Sequence, residues 1–158
     1  MIFLFTLLTM AFATGIRSET VPCPLGDGTV KRFFKVSANT MGGYDSDLAG
    51  YSTRGQFRSH AVSTCPDNFF SALGSRLELP VPAREQEPVL RAIADARNEW
   101  GQPNDPTVWE RYDTAARIAL VLNQAPIDVA HLYITAAWTV RDAAIGIYVG
   151  GLDGPEAA

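Results

Sequence analysis

The spacing of hydrophobic and polar positions changes near Pro80-Val81-Pro82. Before these prolines, residues 29–36 and 56–62 are short β-prone runs and predict two strands, while residues 66–73 predict one short helix. After them, apolar residues recur at helical spacing. Strands followed by helices predict an α+β fold, with a β-rich module over 21–79 and a helical layer over 86–150.

The helical layer is predicted to contain three helices, each with an apolar stripe. The stripe of the first consists of Val89, Ile93, Ala96 and Trp100, with Pro88 in the first turn. The second opens at Asp105-Pro106, and its stripe is Trp109, Tyr112, Ala116, Ala119 and Leu120. The third covers 128–148 and is predicted to bury Ile134, Ala137, Trp138, Ile145 and Tyr148.

Small residues on the second and third predicted helices allow these helices to approach each other closely. They are Ala115, Ala116, Ala119, Ala136 and Ala137. Residues 112–141 resemble the junction between two tetratricopeptide repeats, because aromatic and alanine positions fall at similar offsets. We therefore expect repeat-like, tetratricopeptide-like hairpins.

The N-terminal residues 2–13 form an apolar run without charge that ends in Ala11-Phe12-Ala13. A small-x-small ending is what signal peptidases accept, and the run is shorter than the roughly 20 residues that cross a bilayer. It predicts a signal peptide over 1–13, no stable membrane span, and a periplasmic or secreted protein. The alternative is a buried N-terminal helix or strand, since the first basic residue, Arg17, follows the run.

Length and charge limit the organisation and the partners of the remaining chain. The chain has 158 residues, and the part that follows the predicted signal fits one domain, placed at 21–150; residues 151–158 indicate the start of a truncated or frayed element. The net charge is -4, and the basic residues are scattered. This charge pattern does not favour nucleic acid as a partner.

The chain contains two cysteines, Cys23 and Cys65, and each is followed by a proline. In an oxidising compartment two such thiols pair and persist as a disulfide. The sequence therefore predicts a Cys23–Cys65 disulfide that stabilises the fold by at most roughly 4 kcal/mol.

Four short segments resemble motifs of the bacterial domain-of-unknown-function family numbered 2225. They are Cys23-Pro24 with Cys65-Pro66, then Asp45-Ser46-Asp47-Leu48, and finally Ala137-Trp138 with Arg141. The resemblance covers about residues 21–145. It implies a zinc-ribbon-type N-terminal part with two CPxC knuckles, followed by repeat-like helices.

The second cysteine of each knuckle is absent here, because Gly26 and Asn68 stand in those positions. A structural zinc site needs four thiolate or imidazole ligands, and only His60 and His131 could supplement the two thiols. We expect no metal and no cofactor. Our interpretation is that a disulfide replaced the metal when the protein became exported.

A possible polar site combines Asp45, Asp47, Arg58 and His60, which could converge as acid, base and electrostatic clamp. No catalytic signature such as a nucleophile elbow, HExxH or phosphate loop accompanies these residues. Residues 45–56 also begin like a calcium loop, but they lack two of its ligands. The favoured interpretation is a turn in which the aspartates accept backbone N–H groups.

On the third helix, His131 and Arg141 lie near the apolar stripe, and we expect Arg141 to pair with Asp113 or Glu110. The leading functional prediction is a non-enzymatic protein-binding or scaffold module that acts through its helical layer. Its candidate partner surface consists of Trp138, Arg141, Ile145 and Tyr148. The alternatives are a small hydrolase or ligand-binding enzyme with Asp45, Asp47 and His60 in one cleft, and a degraded zinc-binding protein.

Overall fold

The computed structural model describes residues 15–52 and 56–145. The fold is α+β, as predicted, with two small antiparallel sheets and a layer of helices. The predicted signal peptide, Tyr148 and residues 151–158 lie outside the described residues. Within those residues, every helix is too short or too polar to cross a membrane.

The first sheet is a hairpin of β1 (Gly15–Pro22) and β2 (Thr29–Ser37), paired from Pro22 opposite Thr29 to Gly15 opposite Ser37. The strand predicted at 29–36 is confirmed. β1 was not predicted, because most of its side chains are polar and exposed. Val21 lies opposite Val30, and both side chains are buried, so this pair attaches the hairpin to the core.

The second sheet is a short hairpin of β3 (Val62–Thr64) and β4 (Ser71–Leu73). The helix predicted at 66–73 is wrong. The Cys65 N–H donates to the Phe70 carbonyl over 2.9 Å, and Phe69 has a φ of 61°, which no α-helix accommodates. These contacts reverse the chain into a strand, and a 3₁₀ turn, Gly74–Arg76, follows it.

The strand predicted at 56–62 is also wrong, because this segment forms the one-turn helix α1 (Arg58–Ala61) before β3 begins at Val62. The Gln56 carbonyl accepts both the Ser59 N–H at 3.2 Å and the Ser59 hydroxyl at 2.7 Å. These local bonds form a helical turn where the side-chain alternation alone favoured a strand.

Three longer helices follow, as predicted: α2 (Ala83–Glu99), α3 (Val108–Val121) and α4 (Pro126–Ala144). Pro88 lies inside α2 rather than in its first turn. α3 begins after Thr107, whose backbone N–H donates to Glu110 Oε2 at 2.7 Å in a capping box, so it starts later than Asp105-Pro106 predicted. α3 contacts α2, α4 and both strands of the second hairpin.

The buried face of α4 differs from the predicted one. The helix buries Val129, Leu132, Thr139 and Asp142, whereas Ile134, Ala137 and Ile145 are exposed and Trp138 is half-buried. Apolar residues surround most of α4, so the sequence pattern offered little contrast between its faces. On α3, Tyr112, Ala116 and Ala119 are buried as predicted, but Leu120 is exposed.

Two hydrophobic clusters form the core. One joins the hairpins to α2 and contains Cys23, Cys65, Phe70, Val89 and Ile93. The other lies between α3 and α4 and includes Ala115, Ala116, Ala119, Val129 and Leu132, with Ala136 against it. Four of the five predicted alanines thus lie in the α3–α4 contact, and Ala137 is the exception.

The predicted Cys23–Cys65 disulfide is confirmed, with Cα atoms 6.0 Å apart and a sequence separation of 42 residues. Both cysteines are buried. A buried arginine adds a polar link: Arg32 donates to the Gly74 carbonyl over 3.2 Å and pairs with Glu19 and Glu78. The two hairpins are therefore joined covalently and by an ion-pair network.

Candidate functional site

Asp45 and Asp47 lie in the loop between β2 and α1. The Ser46 N–H donates to Asp45 Oδ1 at 3.3 Å, and the Ala49 N–H donates to Asp47 Oδ1 at 3.2 Å. Leu48 has a φ of 66° at the tip. This is the predicted turn, and within residues 15–52 and 56–145 no group of three or more His, Cys, Asp or Glu side chains could hold a metal ion.

Arg141 of α4 binds this loop. Its Nη1 lies 2.6 Å from Asp47 Oδ2 and 3.3 Å from Asp45 Oδ2, and its Nη2 donates to the Tyr51 hydroxyl at 2.7 Å. Trp138 also hydrogen-bonds to Asp47 through its side chain. Two of the segments that carry the family resemblance, 45–48 and 137–141, therefore contact each other.

The surroundings of Asp47 favour its ionised form. Partial burial acts against ionisation, but the Ala49 N–H, the Arg141 guanidinium and the Trp138 side chain together lower the pKa of Asp47 below its ordinary 3.8. The loop is thus held to α4 by an Asp47 carboxylate that stays ionised above pH 3.8.

The pairing predicted for Arg141 is wrong. Asp113 instead accepts from Trp100 Nε1 at 3.1 Å and from Arg117 Nε at 2.8 Å. Glu110 caps the start of α3. Both carboxylates serve the contact between α2 and α3 or the cap of α3, so Arg141 takes its partners from the β2–α1 loop.

Arg58 occupies a different position. Its Nε and Nη2 donate to the two oxygens of Asp142 at 2.5 and 2.8 Å, and its Nη1 donates to the Gly50 carbonyl at 2.8 Å. The guanidinium carbon lies 4.9 Å from the Tyr51 ring centroid and 5.9 Å from that of Trp138. The pair fixes α1 and the loop to α4.

His60, the last member of the possible polar site, lies against Phe33, with ring centroids 5.2 Å apart. Burial, with a smaller contribution from the Arg111 charge, lowers the pKa of His60 below 6.5 and favours the neutral ring. The structure therefore brings Asp45 and Asp47 together but pairs them with Arg141, places Arg58 on Asp142, and puts His60 against a strand.

A cleft of about 570 Å³ opens between the end of β2, the loop, α1, β4 and one face of α4. Five aromatic side chains line it: Tyr44, Tyr51, Phe57, Tyr112 and Trp138. The α4 face consists of residues at helical spacing, namely Asp128, His131, Leu132, Thr135 and Trp138. Both halves of the fold contribute walls, so the cleft depends on how they are joined.

A smaller apolar groove of about 220 Å³ continues from the cleft. The two share four lining residues: Leu73, Arg76, Gln124 and Leu132. The groove then passes between the 79–82 segment and the α3 residues Ala115, Ile118 and Ala119. Together they form one depression that crosses the second hairpin and the α3–α4 pair.

The described residues of the predicted partner surface do not lie together on one surface. Trp138 lines the cleft, Arg141 is engaged with the loop, and Ile145 is exposed at the end of α4. Tyr148 lies outside the described residues. The prediction included Trp138 but not His131 and Thr135, because this face of α4 is neither uniformly apolar nor charged.

Comparison with known proteins finds no family model, no curated protein and no solved structure that matches this chain. The resemblance to the family numbered 2225 therefore stays a prediction.

Proposed function

We propose that this chain is an exported, non-enzymatic binding protein that holds an extended segment of another protein in the cleft and groove. The observation that carries this proposal is the continuity of an aromatic-lined cleft with an apolar groove. A volume of several hundred Å³ is typical of a ligand site, and the added groove favours a chain-like ligand over a compact one.

The aromatic side chains that line the cleft support a binding role. Tyr44 is 67% exposed, and Tyr51, Phe57 and Trp138 are half-buried, so their rings are accessible from the cleft. Rigid aromatic side chains offer a large contact area at low entropic cost, and they dominate the energetics of protein interfaces.

The residues predicted to act as acid, base and electrostatic clamp each contact a different partner. Asp47 is neutralised by Arg141, Arg58 by Asp142, and His60 contacts Phe33 outside the cleft. A general base must reach the proton that it removes, and these three groups share no open position. The geometry therefore supports binding rather than the hydrolase alternative.

Panning a displayed library of random peptides against the oxidised protein tests this function. We expect enriched peptides whose affinity falls about tenfold in Tyr44→Ala, because a contact aromatic is removed. The matched control is Tyr133→Ala, which removes an exposed tyrosine on α4 outside the cleft lining. Failure to enrich any peptide, or equal losses in both variants, would overturn the proposal.

Export is the second part of the proposal. It is supported by the predicted signal peptide and by the disulfide, since such bonds persist in oxidising compartments. Thiol titration of the denatured protein, purified from fractionated cells, tests it. Export predicts no free thiol in protein from the periplasm or medium, and two free thiols in a cytoplasmic pool would contradict it.

We further infer that the two hairpins are a zinc-ribbon-like module in which the disulfide took the place of a metal. In each hairpin the cysteine N–H donates to a carbonyl five residues later: Cys23 to Gly28 at 2.8 Å, and Cys65 to Phe70 at 2.9 Å. A Cβ built on Gly26 would lie 3.5 Å from Asn68 Nδ2. The four knuckle positions thus lie in two close pairs, 23 with 65 and 26 with 68.

The residues present do not fit zinc, because both thiols are bonded to each other and positions 26 and 68 carry no thiolate or imidazole. Asn68 instead donates to the Leu25 carbonyl and accepts the Phe70 N–H at 2.9 Å, which joins the two turns.

By the same family resemblance, we propose that α3 and α4 are one repeat-like hairpin, joined by residues 122–125.

A further inference from the structure

We propose that the cleft selects acidic segments, and that Arg76, where the cleft meets the groove, and Lys35, in the cleft, bind carboxylates of the partner. This inference rests on the proposed function, since it names the chemistry of the segment that the cleft would hold.

Arg76 occupies the decisive position. It ends the 3₁₀ turn after β4 and lines both the cleft and the groove. Its side chain is exposed, and its guanidinium has no hydrogen bond or ion pair within the described part of the chain. A guanidinium can bind a carboxylate through two parallel hydrogen bonds.

Lys35 adds a second available cation. It lies near the end of β2, a strand that contacts the 3₁₀ turn, and it lines the same cleft. Its ammonium likewise makes no hydrogen bond or ion pair among residues 15–52 and 56–145. Arg58 differs, because Asp142 already neutralises it.

The cleft carries little negative charge to neutralise these two cations. Asp128 is the one carboxylate among the described lining residues, and the groove lining contains none. Asp128 lies in the first turn of α4, where the helix dipole stabilises a negative charge. The depression therefore offers two unpaired cations against one carboxylate in a chain of net charge -4, which makes it complementary to an acidic ligand.

The position of Arg76 also predicts the order of residue types along the bound segment. On one side lie the aromatic rings of the cleft, and on the other lies the groove lined by Leu79, Val81 and Ile118. A segment that fits both would carry an acidic residue between two apolar or aromatic residues. Successive residues of an extended chain are about 3.3 Å apart, so these three chemistries lie close together in its sequence.

The test uses the peptides enriched from the displayed library and their Glu→Gln or Asp→Asn counterparts. We expect Arg76→Gln and Lys35→Gln each to weaken binding about two- to fivefold, as for an exposed ion pair, and high salt to weaken it as well. Arg91→Gln is the control, because it removes one positive charge from α2 outside the cleft.

The outcomes separate the two proposals. Enriched peptides that lack acidic residues, or that bind Arg76→Gln and Lys35→Gln as tightly as the parent, overturn the acidic preference and leave the binding function standing. Failure to enrich any peptide overturns both. Glutarate, a free dicarboxylate, is the small-molecule probe, and binding as tight as that of the peptides would overturn the segment proposal.

Discussion

Arg58 binds both carboxylate oxygens of Asp142 across 84 residues of sequence. The Asp142 side chain is 1% exposed and that of Arg58 is 11% exposed, so water hardly screens the pair. The Arg58 carbonyl also accepts the Tyr112 hydroxyl at 2.7 Å. One residue of a one-turn helix therefore joins the β2–α1 loop, α3 and α4, each of which contributes residues to the cleft lining.

Removing one partner of this pair should destabilise the protein strongly. We expect Asp142→Ala to lower the free energy of unfolding by about 3–5 kcal/mol, because it leaves the Arg58 charge buried without compensation. Urea denaturation measures this, and exposed Asp128→Ala on the same helix is the control, expected to cost at most about 1 kcal/mol because it removes only a charge in the first turn of α4. Equal effects of the two substitutions would show that the pair does not hold the layers together.

The disulfide should contribute a comparable share of stability. We expect the double substitution Cys23→Ser, Cys65→Ser to lower the free energy of unfolding by roughly 2–4 kcal/mol, through greater entropy of the unfolded chain. Reductant should produce the same loss in the parent protein and no change in the variant. A parent protein insensitive to reductant after full reduction would contradict this role.

His60 should make stability depend on pH. Because its folded pKa lies below 6.5, the unfolded chain takes up the proton first, so stability is complete above 6.5 and falls as the pH drops toward the folded pKa. His60→Phe, which retains a ring against Phe33, should remove this slope from the unfolding free energy. A slope that persists unchanged in His60→Phe would refute the assignment.

Restoring the missing knuckle cysteines should create a metal site. We expect the double substitution Gly26→Cys, Asn68→Cys, when reduced, to bind Co²⁺ with the absorption spectrum of a tetrahedral thiolate site. Gly26 has a φ of 77°, so a cysteine there is strained and the affinity should be modest. The control is Gly26→Ser, Asn68→Ser. A reduced four-cysteine variant without that spectrum would contradict the zinc-ribbon-like interpretation.

Local sequence signals were sufficient for part of this fold. Two Cys-Pro pairs behind an apolar N-terminus predicted the disulfide, and 3.6-residue spacing predicted α2, α3 and α4. α1 and β4 could not be predicted in this way, because backbone hydrogen bonds at Gln56 and Cys65 override the local pattern. Such bonds depend on how the chain folds back on itself.

The site was harder to predict for the same reason. Arg141 was expected to be the arginine that needs a carboxylate inside the helical layer, but the buried pair is formed by its neighbour Asp142 with Arg58. Lys35 and Arg76 resemble ordinary surface cations in the sequence, and only the tertiary structure places them in one cleft. Trp138 is the one residue of the predicted partner surface that lines it among the described residues.

The decisive measurement is to locate a bound peptide on the protein. Backbone amide chemical shifts, measured on the oxidised protein with and without the most enriched peptide, report which residues it contacts. We expect the largest changes around Tyr44, Arg76 and Trp138. Changes confined to the outer face of α4, around the exposed Ile134 and Val140, with the cleft unaffected, would contradict this expectation.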